Sequence, residues 1–157
     1  MSRRLEYWVP AILVALLISL FSTQYFSSEH TARIIYPLLR WIFPAASPRW
    51  LHEAHVVIRK LAHVLEFGVF SVTVFRGVRG GRPGWRLDWA VTTFFIALAL
   101  AALDEWHQSF VAVRHASIRD VAIDTLGAVL AQILVWAYAN WRRAFTGPSS
   151  LPGKGPR

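Results

Sequence analysis

Ionisable side chains recur at helical spacing in the stretch between positions 52 and 66. The stripe consists of His52, His55, Arg59, His63 and Glu66, with Lys60 beside it. At about 100° per residue, the five side chains of the stripe fall within an arc of roughly 80° on one helix. An imidazole one turn from a carboxyl group is suited to general acid–base chemistry. We therefore predict Glu66 as the catalytic acid or base and His63 as its partner.

A second set of acidic and imidazole side chains follows in two groups, around position 105 and just after position 119. Their nitrogen and oxygen atoms are ligands that zinc, manganese or another divalent ion accepts. The spacing matches no established metal motif, so a divalent metal ion is one hypothesis for the cofactor. The candidate metal ligands are Asp104, Glu105, His107, Asp120 and Asp124.

Basic and amide side chains near these groups are the candidates for binding a substrate. Lysine and arginine hold phosphate and carboxylate groups through charge-assisted hydrogen bonds. The predicted substrate-binding residues are Lys60, Arg114, Gln108 and Arg59.

The composition indicates that these residues lie within membrane-spanning helices. The chain has 157 residues, of which 55% are hydrophobic and 17% charged, with a net charge of +8. A soluble domain has about 25% charged residues, so an ordinary soluble enzyme is disfavoured. The absence of cysteine excludes disulfides and a thiolate nucleophile. The arginine-rich stretch 76–86 lacks the pattern of a nucleic-acid site, so no nucleic-acid partner is expected.

Four apolar stretches predict an all-α, integral membrane four-helix bundle in a single domain at 1–146. The predicted spans are about 8–26, 55–76, 89–108 and 120–141, followed by a disordered tail at 147–157. A carboxylate at mid-bilayer must be paired, protonated or facing water, so the stripe that contains Glu66 should face the bundle interior.

Two shorter features lie between the first two spans. Ile34 to Phe43 is too short to span and contains Pro37, so we predict an interfacial amphipathic segment interrupted at the prolines. Ser47-Pro48 is typical of a helix start, because a hydroxyl caps the first turn and proline fits its first position.

The distribution of charge predicts the orientation in the membrane. The two termini and the loop after the second span carry ten basic and two acidic residues, whereas the remainder carries seven of each. The positive-inside rule then places both termini in the cytoplasm. All six histidines and most of the carboxylates are thereby predicted on the outer side.

The combined motif resembles the VanZ-like family of small bacterial membrane proteins. The resemblance covers about residues 55 to 130, and the matching residues are Lys60, His63, Glu66, Asp104, Glu105, Gln108, Arg114 and Asp120, with a glycine at 127. The namesake of that family is linked to resistance to the lipid-bearing antibiotic teicoplanin. This sequence departs from the family pattern at Asp124, where asparagine is more common, and at Ala112-Val113, where Pro-Gly often precedes the arginine. The resemblance implies no established reaction.

These observations lead to one functional hypothesis and several alternatives. We expect a multi-pass protein of the bacterial inner membrane with an outward-facing polar cavity. The cavity would bind a lipid-linked envelope intermediate or a lipoglycopeptide at the outer leaflet. Chemical modification of this substrate is a further option. Membrane lipids would surround the protein. The alternatives are a small transporter and a non-enzymatic interaction protein whose charged cluster is a structural network. The oligomeric state is left open.

Overall fold

The computed structural model describes residues 3–23, 27–110 and 117–145, and within them the chain is all-helical. Five helices follow one another along this part of the chain: α1 (Arg3–Phe21), α2 (Ser28–Ile42), α3 (Pro48–Arg79), α4 (Leu87–Gln108) and α5 (Ile118–Phe145). The expectation of a disordered tail at 147–157 concerns residues outside the described ranges.

Four of the described helices are long and apolar enough to cross a membrane, namely α1, α3, α4 and α5. Large apolar side chains on their outer faces are exposed, including Leu16, Leu65 and Leu134, the last at 71%. Such exposure is expected where lipid, not water, surrounds the bundle. The predicted spans agree with these helices, although α1 begins before position 8 and ends at Phe21.

Helix α3 is the central element of the bundle and packs against each of the other four helices. Its start matches the prediction, because the Ser47 hydroxyl accepts a hydrogen bond from the Trp50 N–H at 3.2 Å. It ends at Gly80, whose φ of 58° is left-handed and therefore favours glycine. With 32 residues, α3 is about 48 Å long, so it extends well beyond a hydrocarbon core about 30 Å thick.

Aromatic residues of α3 and small residues of the neighbouring helices form the apolar core. Its buried members are Ala11, Ile18, Phe67, Phe70, Val74, Ala97, Ala101 and Ala128. Next to them, the Ser71 hydroxyl donates to the Ala128 carbonyl oxygen at 3.1 Å, and the Gln132 amide donates to the Ser71 hydroxyl at 2.8 Å. These two bonds fix α5 against α3 on the side away from the ionisable cluster.

Helix α2 corrects the prediction of an interrupted segment between the first two spans. The helix begins at Ser28 and continues through Pro37 to Ile42. A proline within a helix removes one backbone hydrogen bond, and here the helix is held by side-chain contacts with α3. Leu39 is buried, whereas Ile34 and Trp41 are 74% and 80% exposed. One face of α2 is therefore apolar and uncovered.

Candidate functional site

A close crossing of α3 and α5 brings the ionisable residues of the two helices together. A Cβ atom added to Gly127 would overlap the carbonyl oxygen of Val64 and lie 2.9 Å from its Cα atom. Only glycine allows two helix backbones to approach this closely. Val64 directly follows His63, and Gly127 lies about one turn after Asp124. The crossing therefore places these two side chains opposite each other.

His63 and Asp124 form the central ion pair of the site. The Nδ1 atom of His63 lies 3.4 Å from Oδ1 of Asp124, whose side chain is only 2% exposed. Neither of these two atoms has a hydrogen-bond partner within the described part of the chain. A carboxylate beside an imidazole orients the ring and stabilises its protonated form, so the pair is able to accept and return a proton.

This pair adds Asp124 as a partner of His63, which the sequence did not predict. Within the described residues, His63 forms its ionic contact with Asp124 and also lines one cavity together with Glu66, so its partnership with Glu66 stays a prediction. Helical spacing places His63 and Glu66 on one face of α3. It does not determine which neighbouring helix faces either side chain.

A polar cavity of about 200 Å³ opens beside this pair, between α3, α4 and α5. It brings together seven of the residues predicted from the sequence. Its lining residues are Ser28, Val56, Arg59, Lys60, His63, Glu105, Gln108, Asp120, Ile123 and Asp124. Asp124 is buried, Asp120 is half-buried and Lys60 is exposed at the rim.

A second cavity of about 230 Å³ lies on the other side of Arg59 and His63, between α1, α2 and α3. Its lining residues are Phe21, Thr31, Ile35, Ile58, Arg59, Ala62, His63 and Glu66. Four of these eight side chains are apolar, but they supply most of the exposed surface of the cavity, and Glu66 is half-buried there. The polar and apolar cavities therefore share two lining residues, Arg59 and His63.

Helix α2 covers the outer part of the histidine stripe through Thr31. The Thr31 hydroxyl lies 3.1 Å from Nε2 of His55 and accepts a hydrogen bond from the Arg59 guanidinium at 3.0 Å. His55 is buried, and the edge of its ring packs against Tyr36. Tyr36 also lies 3.3 Å from Nδ1 of His52. These two histidines therefore attach α2 to α3 and do not line either cavity.

Asp104 connects α4 to the end of α1. Its Oδ2 atom accepts hydrogen bonds from the Ser22 hydroxyl at 2.7 Å and from the Gln108 amide at 2.6 Å. All three side chains are buried. Sequence reasoning missed Ser22, although a hydroxyl residue at the end of an apolar span is the signal that would have indicated it.

Glu105 holds the start of α5 in place. Its Oε2 atom accepts a hydrogen bond from the Ser117 backbone N–H at 2.7 Å. This N–H lies at the beginning of a helix, where backbone donors lack partners within the helix. Glu105 thus has a structural bond while it also lines the polar cavity.

Of the predicted residues that the structure describes, His107 lies apart from the site. His107 is exposed and lines neither cavity. Arg114 lies in the stretch 111–116, outside the described residues. In the ranges that the structure describes, no three His, Asp or Glu side chains form a group that could hold a metal ion. The hypothesis of a metal ion held by Asp104, Glu105, His107, Asp120 and Asp124 therefore has no support from the geometry.

Comparison with known proteins agrees with the resemblance seen in the sequence. No curated protein and no solved structure matches the chain. The model of the family described as VanZ/LLP1 matches residues 7–139. This match covers most of the chain, and four of the described helices are apolar enough to span a membrane. The chain is thus a membrane protein that belongs to the VanZ/LLP1 family.

Proposed function

We propose that this protein binds a lipid-linked or lipid-bearing substrate of the bacterial cell envelope. The polar part of the substrate would occupy the polar cavity, and its hydrocarbon part the apolar cavity. The observation that carries this proposal is that two cavities of different polarity adjoin the same two side chains, Arg59 and His63. A lipid-bearing molecule has the same arrangement, with a polar group joined directly to an apolar chain.

The charges at this junction favour an anionic group in the ligand. The Arg59 guanidinium is held by the Thr31 hydroxyl at 3.0 Å, and Lys60 is exposed at the cavity rim. Guanidinium and ammonium groups bind phosphate and carboxylate oxygens well, especially where water is partly excluded. Arg59 and Lys60 would therefore hold the anionic group of the substrate.

The positive-inside rule supports an outward orientation of the cavity in the inner membrane. The loop between α3 and α4 carries Arg82 and Arg86, and the cavity lies at the opposite end of these two helices. With both termini and this loop in the cytoplasm, the polar cavity would open at the outer leaflet.

Labelling of single cysteines tests this orientation, since the natural chain has no cysteine. Ala45, between α2 and α3, and Pro83, between α3 and α4, are both exposed. We expect a membrane-impermeant maleimide to label Ala45→Cys in intact cells, and Pro83→Cys only after lysis. The opposite pattern would place the cavity at the cytoplasmic leaflet.

Replacing Lys60 by glutamine is expected to weaken binding of a phosphate-bearing lipid by about tenfold. The probe is dioleoyl phosphatidylglycerol, added to the full-length protein in detergent and quantified by native mass spectrometry. Dioleoylglycerol, which has the same chains and no phosphate, should bind equally to the variant and the natural protein.

Arg40→Gln provides the matched control, because Arg40 is an exposed cation on α2 that lines neither cavity. Its affinity for phosphatidylglycerol should equal that of the natural protein. Equal losses of affinity for phosphatidylglycerol in the Lys60 and Arg40 variants would indicate a general effect of surface charge. They would contradict a specific site for the headgroup.

A further inference from the structure

The polar cavity has a basic wall and an acidic wall that face each other. Helix α3 contributes Arg59 and Lys60, while the opposite side, formed by α4 and α5, contributes Glu105, Asp120 and Asp124. Residues of opposite charge, carried by different helices, therefore line the same space of about 200 Å³. A cavity built only for an anion would not need three carboxylates on one side.

Charges on the two walls are only partly neutralised by contacts across the cavity. Among the described residues, the direct ion pair between the walls is His63 with Asp124, at 3.4 Å. No ion pair of Lys60 or Asp120 occurs within the same ranges. The cavity therefore presents a cation on one side and a carboxylate on the other.

Asp124 gives an independent indication of what the acidic wall binds. Its side chain is 98% buried, since only 2% is exposed, and it lines the cavity. Its Oδ1 atom accepts no hydrogen bond from any described residue. Its contact with Nδ1 of His63 is long, at 3.4 Å, so this buried oxygen is incompletely satisfied, and a ligand that carries a donor or a positive charge would complete its hydrogen bonding.

We infer that the polar part of the ligand carries both charges, a cationic amine and an anionic phosphate or carboxylate. The anion would lie against Arg59 and Lys60, and the amine against Asp120 and Asp124. This inference rests on the proposed function and specifies its substrate class as lipids with a zwitterionic headgroup. The apolar cavity on the other side of Arg59 and His63 would hold the chain of the same molecule.

Two lipids that differ only in the charge of the amine test this inference on the full-length protein in detergent. Dioleoyl phosphatidylethanolamine carries the ammonium group, and its N-acetylated derivative keeps the phosphate but loses that charge. We expect the natural protein to bind the ammonium form at least about tenfold more tightly. Asp120→Asn should abolish this preference, so that the two lipids bind about equally, because it removes a carboxylate without changing the size of the side chain.

Asp88→Asn is the matched control, since Asp88 is an exposed carboxylate in the first turn of α4, remote from the cavity. It should keep the full preference for the ammonium form, and the melting temperatures of both variants would confirm that they are folded.

The outcomes separate failure of this inference from failure of the proposed function. Equal affinity of the natural protein for the two lipids, with both weakened by Lys60→Gln, would overturn the zwitterionic class and leave the lipid site intact. Affinities that do not respond to Lys60→Gln would overturn both, because the lipids would then bind outside the cavity.

Discussion

Replacing Gly127 by alanine is expected to lower the melting temperature of the protein by about 5–10 °C. The added methyl group would overlap the backbone of Val64, lying 2.9 Å from its carbonyl carbon. Backbone atoms cannot move aside as a flexible side chain can, so α3 and α5 must separate. Thermal unfolding of the purified protein in detergent measures the effect.

Gly68→Ala is the control for this prediction, because Gly68 lies on α3 at the same crossing. A Cβ atom there would meet its nearest neighbours at 3.5 and 3.8 Å, which are ordinary contact distances. Its melting temperature should stay within about 2 °C of the natural protein. A similar decrease in melting temperature in both variants would contradict the assignment of the close contact to Gly127 alone.

Separation of the two helices should also affect the site. Gly127 is about one helical turn from Asp124, and Val64 is adjacent to His63. A shift at the crossing would therefore lengthen the contact between His63 and Asp124 in the variant. We expect the residual folded Gly127→Ala protein to bind lipid more weakly than Gly68→Ala does.

The second large effect is expected for Asp124→Asn, which should reduce binding of dioleoyl phosphatidylethanolamine by at least about tenfold while the protein stays folded. The substitution keeps the size of the side chain and removes a buried charge that faces the cavity. The amide oxygen of asparagine can still accept a hydrogen bond from Nδ1 of His63, so we expect the melting temperature to stay close to that of the natural protein. Affinity from native mass spectrometry and the melting temperature are measured on the same sample.

This combination distinguishes a binding site from a structural network. A residue that only stabilises the fold would lose stability when altered, with affinity falling only as the protein unfolds. A residue maintained for binding loses affinity at constant or increased stability. A drop in melting temperature without a change in the affinity of the folded protein would support the structural alternative for Asp124.

Sequence periodicity was sufficient to predict the four long helices. Apolar stretches of adequate length predicted the spans, and Ser47-Pro48 located the start of α3, where the cap is observed. These features depend on local physics: the length needed to cross a bilayer and the hydrogen bonds of a first helical turn.

The side-chain contacts between different helices could not be predicted in the same way. Periodicity gives the face of one helix but not the rotation of its neighbours, so His63 was assigned to Glu66 and not to Asp124. Asp104 and Glu105 are adjacent, yet one bonds to Ser22 of the segment after α1 and the other to Ser117 before α5. Adjacent positions on a helix point about 100° apart, and this difference separates their roles.

Helix α2 shows how tertiary contacts override a local signal. Pro37 predicts an interruption, because proline lacks a backbone donor and its ring clashes with the preceding turn. The helix nevertheless continues to Ile42, held against α3 by Thr31 and by the buried Leu39. A rule that considers one residue type at one position does not include the stabilisation that such tertiary contacts provide.

The contact between Gly127 and Val64 also has a consequence for membrane permeability. It closes the bundle about one turn beyond Asp124, and Phe67 and Ala128, which are 0% and 1% exposed, pack directly next to it. Among the described residues, this contact and the core side chains next to it form a tightly packed layer between the polar cavity and the opposite end of α3 and α5. Such an apolar layer disfavours water, and it therefore opposes the passage of protons from the ionisable cluster towards the other end of the bundle.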